Sequence, residues 1–318
     1  MKETKYAYAA AYTRTLENKM LTKSDLEVLI NMPSADAVLK HLADSGYGGG
    51  IGDILKNELK HVWNEVKFAC PEGAPIDILL YQNDFHNLKS ILKAVFSRIP
   101  YEALMLEPYT IEPKIIYDAI STGKLENLPG ILQKSAAEAF NILARSNDGQ
   151  LAEIVLDKAV FLLMAKTAEQ SKDTFLIDWV DLCTAILNMK IALRGAYSGR
   201  SREFLNSAML PCAKISLEAL LDAAAHGVPA VLNVFEHSGF EGSSAAALKS
   251  VSEFEKWCDN RQMDYLKAVR YKPLGFEPLL GFLVGKQVEL QSIRIILSGL
   301  GNGISTEILR ERLRDLYV

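Results

Sequence analysis

The sequence has few cysteines, and it lacks the residue groupings of common metal sites. Its four cysteines, at 70, 183, 212 and 258, are far apart and form neither a CxxC pair nor a cluster with histidine. A disulfide scaffold or a structural zinc site is therefore not expected, and a reducing compartment fits this cysteine usage. There is no HExxH motif, and there is no adjacent aspartate pair of the kind that isoprenoid synthases use to bind magnesium. We expect no metal or other cofactor.

Long apolar runs are also missing. The best candidates, 159–165 and 279–285, are seven residues each and end at Lys166 and Lys286, whereas a membrane span needs about 20 residues. The first five residues carry an acidic side chain among the bases and lead into no apolar signal-peptide segment. We expect neither a signal peptide nor a transmembrane segment, so any membrane role would depend on a protein partner.

Charge of one sign is nowhere in excess. The chain has 35 basic and 39 acidic side chains, a net charge of −4, and this balance is even along its length. No basic half exists for nucleic acid, and no polybasic stretch exists for anionic lipid. We expect no nucleic-acid partner.

Two glycine-rich stretches, 46–52 and 299–303, resemble nucleotide loops only superficially. The first lacks the GxGxxG spacing and follows a predicted helix instead of a strand, and GxxxxGK[ST] is absent from the sequence. We interpret the first as a helix end with a loop, and the second as a joint between helices. The acidic group Asp173, Asp178 and Asp181 is interpreted as an N-cap at Asp173 with charges that favour a helix beginning near Thr174.

Strong helix formers dominate what remains. Alanine and leucine supply 34 and 44 residues, and apolar side chains recur at spacings of three and four. One such pattern predicts an amphipathic helix over 304–316. No run alternates apolar and polar residues as a strand would, so the sequence predicts an all-α protein.

The chain contains an internal repeat. A Leu-Glu pair begins each copy, at Leu26, Leu125 and Leu217, and a serine near a helix-ending residue follows 19 to 21 positions later. These observations predict three homologous helical domains of about 100 residues, at 1–108, 109–209 and 210–318. Helix-ending and helix-starting residues support the alignment. They are Gly46, Asn147 and Gly239 as C-terminal residues, and Ser34, Ser135 with Glu138, and Pro229 at N-termini.

A second shared pattern lies later in each copy. It reads Asn87-Leu-Lys89, then Asn188-Met-Lys190, then Ser292-Ile-Arg294, and Lys93 and Arg194 follow four positions after the base in the first two copies. Two interpretations remain open. These groups stabilise each domain through surface contacts such as Asp84 with Lys89, or they face a central partner from three equivalent helices.

Together these motifs resemble the C subunits of V/A-type rotary ATPases, whose eukaryotic counterpart is the d subunit. The resemblance covers the whole length. It rests on the opening helix Tyr8–Glu17, on the segments 84–89 and 186–194, and on 273–278 followed by 286–295. Three positions depart from the family pattern. Asparagine is usual where Ser292 stands, an arginine is common where Tyr12 stands, and Ala185 replaces the acid found as Asp84 and Glu289 in the other copies.

The resemblance implies a non-catalytic part of the rotor. Its three helical domains would surround a pseudo-threefold axis as a funnel with a central cavity. The funnel would receive the central shaft, built from the D and F subunits, and would sit on the proteolipid ring of the membrane V0 domain. The protein would then be peripheral, at the cytoplasmic face, and would couple ATP hydrolysis or synthesis to transport of hydrogen or other ions. Seven residues are predicted near the central cavity: Asn87, Lys89, Lys93, Asn188, Lys190, Arg194 and Arg294.

The alternatives to this role are a scaffold and an enzyme. A free-standing, soluble helical-repeat scaffold would share every fold argument but would not associate with membranes. An enzyme would require carboxylates or histidines that converge in a pocket, and the five histidines show no such spacing.

Overall fold

The computed structural model describes residues 3–48 and 54–318, and all regular structure in that part of the chain is helical. The all-α prediction is confirmed. By contacts, the chain divides into two compact units: residues up to Ile76 together with Gly242–Val318 form one, and Asp77–Glu241 form the other. We call them the terminal unit and the middle unit. The division into three repeats at 1–108, 109–209 and 210–318 stays a prediction.

The terminal unit is built around one long buried helix, α15. Its helices are α1 (Ala7–Glu17), α2 (Lys23–Ile30), α3 (Ala35–Asp44), α4 (Ile54–Ala69), α13 (Ser243–Lys249), α14 (Val251–Lys267), α15 (Glu277–Gly301) and α16 (Thr306–Arg312). Helices α1, α2, α3, α4, α14 and α16 all pack against α15. Residues 279–283, which include the side chains of Leu279, Leu280, Phe282 and Leu283, are all buried, as a helix surrounded by others requires.

The middle unit has a similar plan around α9. Its helices are α5 (Tyr81–Ser97), α6 (Pro113–Thr122), α7 (Gly130–Ser146), α8 (Gly149–Ser171), α9 (Thr174–Ser198), α10 (Arg202–Ala208), α11 (Leu217–Ala225) and α12 (Val228–His237). Helices α8, α10, α11 and α12 pack against α9, and α5 packs against α6, α7 and α8. Two long helices, α5 and α9, therefore each carry a helical pair that follows them in the chain.

Most of the predicted helix ends are confirmed. Ser34 caps α3 by accepting the Ala37 N–H, and Asp173 caps α9 by accepting the Leu176 N–H. Pro229 lies in the first turn of α12. Positive φ angles occur after helices at Gly46, Asn147 and Gly239, where a left-handed residue ends a helix with little strain. The glycine-rich stretch after Gly48 lies outside the described residues.

Two helix predictions are wrong. Ser135 is not an N-cap: α7 already begins at Gly130, and the Ser135 hydroxyl donates to the Leu132 carbonyl inside the helix. The amphipathic pattern over 304–316 predicted one helix, but α16 ends at Arg312. Beyond it, Leu316 and Tyr317 are buried as part of a non-helical segment, so their apolar spacing reflects tertiary packing.

Candidate functional site: polar residues of the three long helices

Asn87 lies in the middle of α5, and its side chain holds a single loop residue, Leu106. The Asn87 amide donates to the Leu106 carbonyl at 3.0 Å, and its oxygen accepts the Leu106 N–H at 2.8 Å. An asparagine side chain offers the same donor and acceptor as a peptide group, so it satisfies both backbone groups of one residue. Asn87 is fully buried, and it fixes the loop that leads into α6.

Asp84, one turn earlier on α5, holds the end of the same loop. Its carboxylate accepts the backbone N–H groups of Thr110 at 2.9 Å and Ile111 at 3.1 Å, together with the Thr110 hydroxyl. Burial raises the pKa of Asp84, and the three hydrogen bonds oppose that rise. Asp84 therefore faces the loop backbone, and the surface contact with Lys89 that one interpretation predicted is wrong.

The second long helix repeats this arrangement. The Asn188 amide donates to the Leu210 carbonyl at 2.6 Å, and its oxygen accepts the Leu210 N–H at 3.0 Å. Asp181 accepts the N–H groups of Ala213 at 2.8 Å and Lys214 at 3.0 Å. Here the acid stands one turn before Ala185, the position that the repeat pattern matches to Asp84. The loop before α11 is thus fixed from α9 as the loop before α6 is fixed from α5.

In the third long helix, α15, the loop comes from the start of the chain. Glu289 is fully buried and accepts the Leu21 N–H at 2.7 Å, and Leu21 stands just before α2. Ser292, where the other copies carry asparagine, donates to the Val288 carbonyl within its own helix. Glu289 therefore takes over the contact to the loop. We call this arrangement, in which a long helix holds the loop before a helical pair, the loop clamp.

The clamp on α15 is part of a buried ion cluster. The ammonium of Lys286 lies 2.7 Å from Oε1 of both Glu58 and Glu289 and 3.1 Å from the Tyr47 hydroxyl. The Tyr47 hydroxyl also donates to Glu289, and Glu58 accepts the Gly48 N–H at 3.2 Å. Burial and the neighbouring Glu289 carboxylate raise the pKa of Tyr47. One ammonium is thus shared by two carboxylates, and the Tyr47 hydroxyl adds a hydrogen bond to Glu289, so the cluster joins α4, α15 and the loop after α3.

The basic residues of the predicted set lie nearer the surface than the asparagines. Lys89 pairs with Asp157 at 2.5 Å, and Lys93 pairs with Glu153, both across the contact between α5 and α8. Lys190 is half-buried, and its charge opposes the burial that raises the pKa of Cys183 to about 12. Arg194 on α9 and Arg294 on α15 are exposed.

Arg194 borders an open cleft of about 360 Å³ between α8, α9 and α10. Its apolar lining includes Ile154, Leu187, Ile191 and Phe204. Arg200 lies at the same cleft with its guanidinium 4.8 Å from the centre of the Phe204 ring. Asp157, the partner of Lys89, also lines the cleft, so the structure brings Lys89 and Arg194 to one surface of the middle unit. Arg294 belongs to the terminal unit.

Arg14, in the opening helix that the resemblance singled out, has a local structural role. Its guanidinium contacts Glu17 at 2.6 and 2.8 Å and donates to the Lys272 carbonyl at 2.9 Å. Tyr12, where the family commonly has arginine, donates its hydroxyl to Glu65 on α4. Both residues therefore tie α1 to other parts of the terminal unit.

Residues 3–48 and 54–318 contain neither a metal-binding cluster nor a membrane-spanning helix. In these ranges no three His, Cys, Asp or Glu side chains are placed to share a metal ion. No helix in the same ranges combines the length and apolar character needed to span a membrane.

The chain is similar to curated proteins over nearly its whole length. It is 24% identical to the C subunit of the A-type ATP synthase of Methanocaldococcus jannaschii, with 98% of this chain and 86% of that protein aligned. It is 23% identical to the C subunit of the V-type sodium ATPase of Enterococcus hirae, with 96% of each covered. The C subunit of the V-type ATP synthase of Thermus thermophilus is 24% identical over 92% of this chain and 93% of its own length.

A family model also matches the chain, over a range that contains the helices described above. The model described as "ATP synthase (C/AC39) subunit" matches residues 9–312, a range that includes all three long helices and their loop clamps. The chain belongs to the ATP synthase (C/AC39) subunit family.

Proposed function

We propose that this protein is a non-catalytic subunit of the central rotor of a V/A-type ATPase. In this role it is a socket that joins the D and F subunits of the shaft to the proteolipid ring of the membrane sector. Torque passes through it, so that ATP hydrolysis or synthesis in the complex is coupled to ion transport. The observation that carries the proposal is the family match over residues 9–312, together with relatives of similar length that are named as C subunits of such complexes.

The proposal includes the arrangement of the chain. Three helical repeats, 1–108, 109–209 and 210–318, surround a pseudo-threefold axis with a central cavity, and the protein is peripheral at the cytoplasmic face. The recurrence of the loop clamp on α5, α9 and α15 supports three related copies. Each copy uses a buried polar side chain, Asn87, Asn188 or Glu289, to hold the loop before a helical pair.

Within this proposal the seven predicted residues divide into two roles. Asn87 and Asn188 are buried and bonded to loop backbone, so they would position the interface instead of touching the shaft. Lys89, Lys93, Lys190, Arg194 and Arg294 would supply its charge. The cleft beside Arg194 supports this division, because it combines an apolar floor with a charged rim, a combination common in protein interfaces.

Affinity purification of the tagged protein from gently solubilised membranes tests the function. Recovery of the D and F subunits and of the proteolipid is the expected result. Recovery of the protein without any of them would overturn the proposal and favour the free-standing scaffold.

A binding measurement tests the interface separately. Titration of the purified D–F complex into the isolated protein should show weaker binding as salt increases, because rim charges are screened. Arg194→Glu should weaken binding by about tenfold or more at low salt. Arg145→Glu reverses an exposed arginine on α7 of the same unit and should change it little. Salt-independent binding, or equal losses in both variants, would contradict the proposed charged interface. The rotor function would still be tested by the affinity purification.

A further inference from the structure

The terminal unit contains a cavity whose lining includes five basic side chains. It has a volume of about 390 Å³ and lies between α2, α14, α16 and the segment after α16. The apolar lining is formed by Leu26, Leu313, Leu316 and Val318. The cationic lining residues are Lys23, Lys256, Lys267, Arg310 and Arg314. The anionic lining side chains are those of Glu27 and Asp315.

The two arginines of this cavity already have carboxylate partners. Arg310 lies 2.9 Å from Glu27 and also contacts Asn31 and Thr306. Arg314 lies 3.0 Å from Asp259 on α14. These pairs hold α16 and the following segment against α2 and α14. The negative charge of Glu27 is already paired with Arg310. The arginines therefore form the walls, and their charge is largely balanced.

The three lysines are not balanced in the same way. Lys256 donates to the Glu311 backbone carbonyl at 2.7 Å. Within residues 3–48 and 54–318, no carboxylate forms an ion pair with Lys23, Lys256 or Lys267. Lys256 and Lys267 are half-buried. Lys23 is exposed. Three lysines without carboxylate partners in the described part of the chain thus line one cavity with a partly apolar lining.

We infer that this cavity binds a small phosphate-bearing ligand. A phosphate group brings up to two negative charges and several acceptor oxygens, so one group can accept from several lysines at once. Glu27 and Asp259 balance the two arginines, and Asp315 offsets part of the lysine charge, so the three lysines exceed it by two. A monoanion would leave half of that excess in place, which favours a dianionic group. The bound group would also join α2, α14 and the last segment of the chain.

Calorimetric titration with inorganic pyrophosphate tests the inference on the full-length protein. We expect saturable binding that weakens with added salt. The variant Lys23→Ala/Lys267→Ala should weaken it by about tenfold or more, because two of the three lysines are removed. Both side chains are free of carboxylate partners among the described residues, so the fold should persist; its melting temperature without ligand verifies this.

A matched double variant controls for general charge. Lys40→Ala/Lys60→Ala removes the same charge from exposed positions of the same unit, on α3 and α4, and should bind pyrophosphate as the unmodified protein does. Equal weakening in both double variants would overturn the inference, because it would show only general attraction between an anion and the surface.

The ligand could be a free phosphate compound or the headgroup of a lipid. Sedimentation with phosphatidylcholine vesicles that contain phosphatidic acid, compared with phosphatidylcholine alone, separates these sources. Binding of pyrophosphate that depends on Lys23 and Lys267 supports a free compound. Binding only to vesicles with phosphatidic acid, again dependent on both lysines, supports a headgroup. If neither probe binds in a lysine-dependent way, the inference is wrong.

Discussion

Asn188 holds both backbone groups of Leu210, with its amide 2.6 Å from the carbonyl oxygen and its side-chain oxygen 3.0 Å from the amide nitrogen. Asn87 holds Leu106 in the same way, about 100 residues earlier in the chain. A recurring Asn-x-Lys pattern could therefore reflect an intramolecular contact as readily as a contact with a partner. In the structure the asparagines make the intramolecular contact, and the basic residues two positions later, Lys89 and Lys190, lie nearer the surface.

Asn188→Ala should destabilise the protein strongly. Leu210 is buried, so the substitution leaves a buried N–H and a buried carbonyl without their partner, at a cost of about 2–4 kcal/mol. Urea unfolding followed by circular dichroism measures this as a lower midpoint. Asn141→Ala, at an exposed position on α7 of the same unit, should stay within about 0.5 kcal/mol of the unmodified protein. Equal stability of the two variants would contradict the clamp.

Asp84 should make the stability of the protein depend on pH in the acidic range. Because burial raises its pKa in the folded state above the ordinary value of 3.8, the folded protein holds this proton more tightly than the unfolded chain does. Its contribution to the free energy of unfolding is therefore greatest below pH 3.8 and decreases as pH rises through the raised value. Asp84→Asn cannot ionise, so it should lose this part of the pH dependence.

Unfolding midpoints of the unmodified protein and of Asp84→Asn between about pH 4 and 7 measure the effect. Relative to the variant, the unmodified protein should become less stable as pH rises. Asp264→Asn, at an exposed position on α14, should follow the unmodified protein throughout. If Asp84→Asn followed it as closely, the ionisation of Asp84 would not contribute.

The all-α fold could be predicted from sequence because its cause is local and repeated. Alanine, leucine and three- and four-residue spacing act over a few turns, and the caps Ser34 and Asp173 act within one turn. Ser135 shows where local reasoning fails. It has the spacing of a capping box with Glu138, but α7 begins earlier, at Gly130, because the apolar face of the helix continues upstream through Leu132, which is fully buried.

The loop clamp was only partly visible in the sequence. The pattern identified Asn87 and Asn188 but could not show that they bond to loop backbone about 20 residues later. From sequence, Asp181 is only a charge that favours a helix beginning near Thr174. Its loop contact was missed because the repeat pattern expects an acid at the position of Ala185, whereas a carboxylate one helical turn earlier reaches the same kind of loop. No sequence pattern indicated the roles of Tyr47 and Glu58, because their contacts with Glu289 and Lys286 join residues more than 200 positions apart.

Lys286→Met should be among the most destabilising substitutions in the terminal unit. It removes the buried ammonium and leaves the carboxylates of Glu58 and Glu289 facing each other without a cation, at a cost of about 3–5 kcal/mol. The double variant Lys286→Met/Glu58→Gln should recover part of this loss, since it removes one of the two facing charges. Urea unfolding of the single and double variants gives the coupling. Strictly additive losses would show that Lys286 and Glu58 do not interact. As a control, Lys60→Met, at an exposed position on α4, should change the free energy of unfolding little.

Gly285 gives the last segment of the chain its place against α15. A Cβ added at Gly285 would lie 2.5 Å from the Cβ of Tyr317 and 3.2 Å from the end of Met20, and the Tyr317 side chain is fully buried. Gly285→Ala should therefore displace residues 313–318 and cost about 1–3 kcal/mol through overpacking. Trypsin should then cleave faster after Arg312, which precedes the displaced residues, and after Arg314, which lies among them.

Gly301, at the end of the same helix, provides the matched control for this substitution. A Cβ there meets nothing within 4 Å, so Gly301→Ala should be neutral or stabilise the helix by up to about 1 kcal/mol, because alanine restricts the unfolded chain. The two variants change the same residue type on the same helix and differ only in what the new methyl group meets. If Gly285→Ala behaved like Gly301→Ala in both unfolding and proteolysis, the packing of Tyr317 against α15 would not be what holds the final segment in place.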